Sequence, residues 1–354
     1  MVLLKNNLTQ MLGVDTPIVQ APMLGVTTPA MVAAASAAGA LGSLALGDLP
    51  AVVCRDLIRQ TKTLTEKPFA VNFFAHSIPG LSNELRTSYN KTRLFVQDLA
   101  RKHGLEVSLP DIDTISLTNY QDQIDIILEE GCPIVSFTFG NLDPATVTRL
   151  KESGVFLIGT CTSVAEAKVL EAAGIDAICV QGIEAGGHRG TFLEGPLPQI
   201  GGLSLLAQVY DAVNLPLIYA GGLYNVHTIQ AAYDLGAQAF QLGSMFLGSA
   251  ESALQPFEKE RLRNAIESDN CLTKSFTGRY ARGLNTTFMT QMEDSGFVLP
   301  YPYQNKLTAP LRQLARTQER TDFISLWAGQ SLQPYREDSC TTIIKHLINQ
   351  LQLI

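Results

Sequence analysis

Short apolar runs alternate with amphipathic segments through the first two thirds of the chain. The apolar runs are almost continuously hydrophobic, as is typical of strands buried on both faces of a parallel sheet. We predict eight such strands, at Ile18–Gln20, Leu41–Leu46, Phe69–Phe74, Ile134–Thr138, Val155–Gly159, Ala177–Val180, Leu217–Tyr219 and Ala239–Leu242.

Helical segments separate these strands, and the first has clear start and stop signals. Thr28 precedes Pro29 as a capping residue precedes an N1 proline, and Gly39 supplies the stop. Further helices are predicted at Pro50–Thr63, Tyr120–Glu130, Pro144–Ser153, Ser163–Ala173, Leu203–Val213 and Val226–Leu235. Residues 76–118 are more polar and less regular, and we interpret them as an insertion.

Eight alternations of strand and helix indicate parallel βαβ units, which close naturally into a (β/α)8 TIM barrel over residues 1–251. An open doubly wound sheet is the alternative, because periodicity does not detect closure. Residues 252–335 have more charge, threonine and proline and no βα alternation. We expect them to form a smaller, mostly helical and irregular unit over the barrel mouth, and residues 336–354 to form a helix that packs back on the barrel.

Composition excludes several classes of protein. The net charge is −7 without a basic cluster, so nucleic acid is not an expected partner. The six cysteines lack metal-type spacing and are expected to be buried free thiols in a reducing compartment. No signal peptide is apparent, and prolines interrupt the uncharged stretch Thr16–Gly47, so we expect no membrane span and a cytoplasmic location. A monomer or homodimer is expected.

The active site of a TIM barrel lies at the carboxyl ends of its strands. The residues predicted there are rich in glycine and amides and poor in carboxylates, and they include no metal-type cluster. They are Pro22, Met23, Gly25, Asn72, Thr160, Gln181, Gly186, Gly187, His188, Ala220, Gly221, Gly222, Gly243 and Ser244.

Glycines after the seventh and eighth strands are where such barrels usually bind phosphate through backbone N–H groups. Gly221–Gly222 and Gly243–Ser244 fill these places, although turn geometry alone is the competing interpretation for each pair. Asn72 and Gln181 offer donors and acceptors that suit a heterocyclic edge, or else satisfy buried backbone groups. A phosphate cradle, amides and one histidine together favour FMN.

The loop Gln181–Phe192, QGIEAGGHRGTF, carries the one histidine expected to do chemistry, His188. It acts either as a general base toward a neutral substrate or as a hydrogen-bond or charge partner of an anion. A solvated loop histidine is the competing interpretation. Arg189 is expected to be solvated or salt-bridged, and Glu184 to be structural.

The stretches APMLGVTTP, AVNFF, GTCTSVAEA, QGIEAGGHRGTF, LIYAGGLYN and AFQLGSMF resemble the nitronate monooxygenase family, formerly called 2-nitropropane dioxygenases. The tail segments YPYQNKLTAP and LWAGQS resemble the first class of that family. The resemblance implies an FMN-bound barrel that oxidises alkyl nitronates with O2 to a carbonyl compound and nitrite, without metal or nicotinamide. It implies that His188 is the active-site histidine, with the nitronate-holding role favoured. It implies FMN contacts at Pro22, Met23, Asn72, Gln181, Gly186, Gly187, Gly221, Gly222, Gly243 and Ser244.

The tail also suggests which nitronate is the substrate. Tyr301, Tyr303 and Lys306 would together make a receptor for a carboxylate, as in propionate 3-nitronate. An equal alternative is that Lys306 lies on the surface and that the two tyrosines pack against neighbouring residues. Trp327 is expected to pack the tail onto the barrel, and His76 to lie at the mouth or on the surface. The competing functions are an FMN-dependent NAD(P)H enoyl-acyl-carrier-protein reductase and a non-catalytic FMN-binding protein.

Overall fold

A computed structural model describes residues 4–353, and within them eleven strands form two sheets. The strands are β1 (Ile18–Gln20), β2 (Ser43–Gly47), β3 (Ala70–Phe74), β4 (Ile134–Thr138), β5 (Phe156–Cys161), β6 (Ala177–Gln181), β7 (Gly187–His188), β8 (Leu217–Ala220), β9 (Ala239–Leu242), β10 (Asn270–Thr273) and β11 (Ala281–Leu284). The predicted barrel strands are all present, with ends shifted by at most two residues.

The larger sheet is a nearly closed parallel barrel. Its order is β1-β9-β8-β6-β5-β4-β3-β2. Next to β2, the amide of Leu41 donates to the carbonyl of Ile18, and the amide of Gln20 donates to the carbonyl of Leu41, each at 2.9 Å. These bonds join the two ends of the sheet, and they confirm the (β/α)8 barrel over the open doubly wound alternative.

Helices cover the outside of the barrel and its two ends. They are α1 (Asn7–Leu12), α2 (Pro29–Ala37), α3 (Ala51–Leu64), α4 (Asn83–Lys102), α5 (Tyr120–Glu129), α6 (Pro144–Glu152), α7 (Val164–Ala172), α8 (Gly202–Tyr210), α9 (Val226–Asp234), α10 (Pro256–Arg263), α11 (Thr287–Ser295), α12 (Tyr303–Thr317) and α13 (Cys340–Leu351). The Thr28 hydroxyl caps α2 by accepting from the amide of Met31. Among the described residues, no helix is both long enough and apolar enough to cross a membrane.

The barrel interior is filled at its amino end and open at its carboxyl end. Leu8 and Leu12 of α1 join the hydrophobic cluster formed by inward side chains of the strands, such as Ile134 and Ile218. The helix α1 therefore plugs the amino end, which leaves the carboxyl end for a ligand. The six cysteines are free thiols as predicted, and only Cys271 is partly exposed.

The inserted residues 76–118 are more regular than the sequence suggests. They contain the 20-residue helix α4, which buries Tyr89, Val96 and Leu99 along one face. The prediction of irregular structure was wrong because the other residues of α4 are mostly polar, which obscures the helical period. The buried face of α4 joins one hydrophobic cluster with side chains of residues 247–332.

The C-terminal residues contribute strands as well as helices. The strands β10 and β11 pair antiparallel, and β11 pairs in turn with β7, which is part of the loop after β6. Farther on, α13 buries Ile344 and Leu347 in the cluster that lies between the barrel strands and their helices. The division of the chain at residue 251 stays a prediction.

Candidate active site

A cavity of about 690 Å³ opens at the carboxyl ends of the barrel strands. This volume lies within the range of typical small-molecule and cofactor sites. Its walls come from every barrel strand or the loop after it, and its roof comes from residues 277–331. The predicted residues that line it are Pro22, Met23, Gly25, Asn72, Thr160, Gln181, Gly186, Gly187, His188, Ala220, Gly221, Gly222, Gly243, Ser244 and Tyr301.

The loops after β8 and β9 form a cradle for an anion. Gly221 and Gly222 have φ values of +125° and +67°, which side-chain-bearing residues rarely adopt. A Cβ on Gly243 would be in ordinary van der Waals contact with Ala21 at 3.6 Å and Met23 at 3.7 Å, so it would not clash. Among the described residues, the backbone N–H groups of Gly222 and Ser244 have no protein acceptor. Free amides at such a place fit a phosphate group.

The side chains of Asn72 and Gln181 differ in how many of their hydrogen-bonding groups are still free for a ligand. Asn72 donates to the Ser136 hydroxyl at 2.9 Å, and its Oδ1 has no protein partner among the described residues. Gln181 donates to the carbonyl of His188 and accepts from the amide of Gly190, both at 2.9 Å. Gln181 therefore fixes the loop that carries His188, and Asn72 is the freer of the two for a ligand.

His188 lies in the cavity wall as a neutral imidazole. Its Nε2 is 2.9 Å from the Thr277 hydroxyl, which is itself 3.2 Å from the carbonyl of Arg279. If the Thr277 hydroxyl donates to that carbonyl, it accepts a hydrogen bond from Nε2 of His188. Nε2 then carries the imidazole proton, and Nδ1 keeps a lone pair. Burial, followed by the charges of Arg279 and Arg312, lowers the pKa of His188 to about 3. An imidazolium at neutral pH is therefore not supported.

Aromatic rings surround His188. Phe139 and Trp327 each have ring centroids 5.5 Å from the imidazole, and Phe74 lies at 6.4 Å. Phe139 has a φ of +75°, a strained value for a bulky residue, and the Arg279 guanidinium covers its ring at 4.4 Å. This wall excludes water from one side of the imidazole.

The loop of His188 is held by residues far along the chain. His188 pairs with Ala281 in the small sheet. Gly186 passes so close to the backbone of residues 328–329 that a Cβ would lie 2.4 Å from the amide nitrogen of Gly329. The same Gly329 amide donates to the Ser244 hydroxyl at 2.8 Å. Gly186 and Ser244 thus join the roof to the barrel, in addition to lining the cavity.

The two charged residues of this loop are structural. The Glu184 carboxylate accepts from the Tyr219 hydroxyl at 2.6 Å and from the amide of Gly202 at the start of α8, which agrees with the predicted structural role. The prediction for Arg189 was wrong. Its side chain is 2% exposed and donates to the carbonyls of Gln181 and Gly182, and among the described residues it forms no ion pair.

The predicted carboxylate receptor does not assemble at the cavity. The Tyr301 ring lines the cavity, and its hydroxyl is buried beside the Asp48 carboxylate. The Tyr303 hydroxyl instead donates to the carbonyl of Pro79 at 2.9 Å. Lys306 pairs with Asp48 at 3.2 Å and does not line the cavity. Of the predicted trio, only Tyr301 is placed to meet a ligand.

Several cavity residues carry no recognisable signal in the sequence. Thr277, Arg312 and Trp327 come from the C-terminal residues, where no strand-end rule identifies them. His76, expected at the mouth or surface, is buried; its Nδ1 is 3.2 Å from the carbonyl of Phe74 and its ring meets Tyr301 at 4.7 Å.

Known proteins resemble this chain over nearly its whole length. A sequence model of the nitronate monooxygenase family matches residues 5–350. A probable nitronate monooxygenase of Staphylococcus aureus is 36% identical over 353 residues, covering 99% of this chain and 98% of the relative. The nitroalkane oxidase of Streptomyces ansochromogenes superimposes with a TM-score of 0.88 at 35% identity, with 98% of each chain covered. FabK of Thermotoga maritima superimposes with a TM-score of 0.75 at 26% identity, covering 99% of this chain and 97% of its own.

Proposed function

The chain belongs to the nitronate monooxygenase family of flavin-dependent oxidoreductases, and from this premise we propose that it binds FMN and oxidises nitronates with O2. The observation that carries the proposal is the joint placement of an anion cradle and a neutral histidine in one cavity. The products would be a carbonyl compound and nitrite. Two nitronates and one O2 give two carbonyl groups and two nitrite ions, so the reaction balances without nicotinamide.

The cavity supports FMN among the flavins because its anion cradle suits a single phosphate. The free amides of Gly222 and Ser244 would bind that phosphate, and Asn72 would meet the polar edge of the ring. The bound flavin would supply the two-electron chemistry that the side chains lack. Pro22, Met23, Gln181, Gly186, Gly187, Gly221 and Gly243 would complete its surroundings.

The Nδ1 atom of His188 would be the one that accepts a proton. With a neutral nitroalkane, the Nδ1 lone pair can accept the α-proton and so form the nitronate within the cavity. With a preformed nitronate no proton has to move, and the ring positions the nitro group. A neutral imidazole would hold the nitro group of an anionic substrate by its position and not by charge.

One competing function is an enoyl-acyl-carrier-protein reductase that uses NAD(P)H. The similarity to FabK is the reason to test it. The two functions differ in the electron donor. In a nitronate oxidase the substrate reduces the flavin, and in the reductase the nicotinamide does.

Anaerobic mixing of the purified, flavin-loaded protein tests the proposal. We expect an alkyl nitronate to bleach the flavin absorbance and NADPH to leave it unchanged. On admission of O2, nitrite should accumulate in proportion to the nitronate consumed. Heat release should yield FMN by chromatography. Rapid bleaching by NADPH without a response to nitronate would support the reductase instead, and a protein that takes up no FMN would refute both.

A further inference from the structure

The side chain of Arg279 joins two separate loops at the cavity. Its Nη1 donates to the carbonyl of Thr191 at 2.8 Å, and its Nη2 donates to the carbonyl of Phe139 at 3.2 Å. Thr191 lies shortly after His188 in the loop that follows β6, and Phe139 directly follows β4. A guanidinium can reach both carbonyls at once because its donors form a rigid, planar fork. Arg279 itself is not among the residues that line the cavity.

At Phe139, the bond to Arg279 fixes a strained backbone. The φ of Phe139 is +75°, and such a value persists in a bulky residue only where neighbouring contacts impose it. The guanidinium covers the Phe139 ring at 4.4 Å in addition to binding its carbonyl. The next residue, Gly140, packs so tightly that a Cβ would overlap the carbonyl oxygen of Ala75. The Phe139 ring is thereby fixed with its centroid 5.5 Å from that of the His188 imidazole.

The backbone of Arg279 determines the surroundings of the imidazole on its other side. The Thr277 hydroxyl donates to the carbonyl of Arg279 at 3.2 Å and lies 2.9 Å from Nε2 of His188. The amide of Arg189 donates to the carbonyl of Tyr280, the residue after Arg279, at 2.8 Å. The two bonds of the guanidinium hold this backbone in place, and the backbone carbonyl orients the hydroxyl. The hydroxyl in turn decides which imidazole nitrogen carries the proton.

The charge of Arg279 is not used in an ion pair. Among the described residues, no carboxylate oxygen lies within 4.0 Å of its guanidinium. Burial lowers the pKa of Arg279, and the nearby Tyr301 and Glu166 oppose this shift. The Glu166 carboxylate is occupied by three backbone amides, two of which directly follow Thr191. The contacts of Arg279 are therefore its hydrogen bonds to the two loops and its contacts with aromatic rings.

Other charged groups also face His188. After burial, Arg279 and Arg312 lower the pKa of His188, and the Asp48 carboxylate raises it. Burial and Arg312 remain when Arg279 is replaced, so the imidazole stays neutral at neutral pH. The loss of Arg279 is therefore expected to change the position of the imidazole proton and not the charge of the ring.

We propose that Arg279 is a positioning residue that fixes the imidazole proton of His188 on Nε2. It acts through the Thr277 hydroxyl and through the wall at Phe139, and Nδ1 keeps the lone pair that can accept a proton. The part of the inference that concerns proton transfer rests on the proposed function. The position of the proton does not, because it follows from hydrogen bonds of the protein alone.

NMR of isotope-labelled histidine rings tests the position of the proton without turnover. In the flavin-loaded protein, the ring nitrogen signals show which nitrogen carries the proton, and His188→Asn identifies the signals of His188 among those of the five histidines. At neutral pH we expect the proton on Nε2 alone in wild type and a mixture of both tautomers in Arg279→Gln. A mixture in wild type, or a pure Nε2 form in Arg279→Gln, would overturn the proposal.

Matched variants separate the hydrogen bonds of Arg279 from its charge. Arg279→Lys keeps the charge but lacks the fork that reaches both carbonyls, so it should also give a mixture, and it serves as the test if Arg279→Gln does not fold. A wild-type spectrum of Arg279→Lys would show that charge alone suffices and would overturn the proposal. Lys274→Gln is the control, because that ammonium covers the Tyr280 ring of the same segment at 4.5 Å and binds neither loop. It should keep the pure Nε2 form.

Kinetics provide a second readout. Arg279→Gln should lower kcat for a neutral nitroalkane by roughly 10- to 100-fold and change KM by less than about threefold, because the base is misplaced while the flavin site is kept. For the matching nitronate, which needs no proton transfer, we expect a loss in kcat below about fivefold. An equal loss for both substrates, or a variant that takes up no flavin, would overturn the proposed role. If wild type oxidises neither substrate, the proposed function fails, and NMR still decides whether Arg279 fixes the proton.

Discussion

At the scale of single residues, the fold determines which proton chemistry His188 can perform. Aromatic rings exclude water from the imidazole, and Thr277 satisfies its Nε2. A neutral ring with a free Nδ1 can accept a proton, and its pKa of about 3 makes it a weaker base than a group whose pKa matches neutral pH.

Replacing His188 with asparagine should therefore affect two substrates unequally. We expect kcat/KM to fall roughly 100-fold or more for a neutral nitroalkane, which needs a base, and roughly 10-fold for the matching nitronate, which needs only positioning. Steady-state assays of both substrates, with flavin content measured alongside, provide the check. Thr277→Val, which removes the partner of Nε2 together with the bonds of that hydroxyl to the Arg279 backbone, should give a smaller loss in the same direction. Wild-type rates in His188→Asn would show that His188 takes no part in the reaction.

The lowered pKa of His188 also predicts a pH dependence of stability. The pKa is 6.5 for an ordinary histidine and about 3 in the folded protein. Between these values the unfolded chain binds one more proton, so His188 lowers the free energy of unfolding by about 1.4 kcal/mol for each unit that pH falls below 6.5. Above pH 6.5 this loss is absent. Burial lowers the pKa of His76 as well, which adds a loss of the same sign.

Urea unfolding of wild type and His188→Asn, at saturating flavin and at pH values between about 7 and 5, measures this effect. The free energy of unfolding should fall less steeply in the variant as pH decreases, because only the contribution of His76 and other shared groups remains. Parallel curves would mean that His188 has the same pKa in the folded and the unfolded protein.

The sequence predicted cavity-lining residues at strand ends better than those of the roof. Asn72, His188 and Gly222 could be found because a barrel puts the ends of its strands at one rim. Arg312 and Trp327 lie in segments without such a rule, so only the folded chain shows that they reach the same cavity.

At the scale of elements, the two-residue strand β7 links the loop of His188 to the C-terminal residues. It carries Gly187 and His188 and pairs with β11, so the loop of the histidine is the third strand of a sheet otherwise built from residues 270–284. Sequence patterns missed this sheet because a two-residue strand has no readable period, and β10 and β11 are only four residues long. The barrel strands were found because each is a buried apolar run.

Gly186→Ala should disrupt this link. The added Cβ would overlap the backbone of residues 328–329, which cannot rotate away as a side chain can. We expect a loss of about 1–3 kcal/mol in unfolding free energy and a lower kcat/KM for every substrate, because the loop of His188 shifts. Chemical denaturation and kinetics together check this. Gly80→Ala, whose Cβ would meet nothing within 4 Å, is the control and should leave both nearly unchanged.

At the scale of the whole molecule, the roof and the barrel are joined by more than the site. The helix α12 starts beside residue 79, where Tyr303 donates to Pro79, and ends at the ion pair of Arg316 with Glu258. It thus runs over the cavity from the inserted residues after β3 to α10. After it, α13 returns to the outside of the barrel and buries Ile344 and Leu347 against the helices there.

This arrangement predicts that the chain unfolds as one cooperative unit despite the three hydrophobic clusters among its described residues. Leu347→Ala removes a side chain from the core outside the barrel, and such truncations typically cost about 2–5 kcal/mol. Thermal unfolding should then show a single transition at a lower Tm, with flavin fluorescence and far-UV circular dichroism changing together. Lys345→Ala, on the exposed face of the same helix, is the control and should leave Tm within about 1 °C of wild type. Two separated transitions in Leu347→Ala, with the flavin released only in the second, would instead show that α13 unfolds separately from the barrel. The parts into which we divide the chain would then also differ in stability.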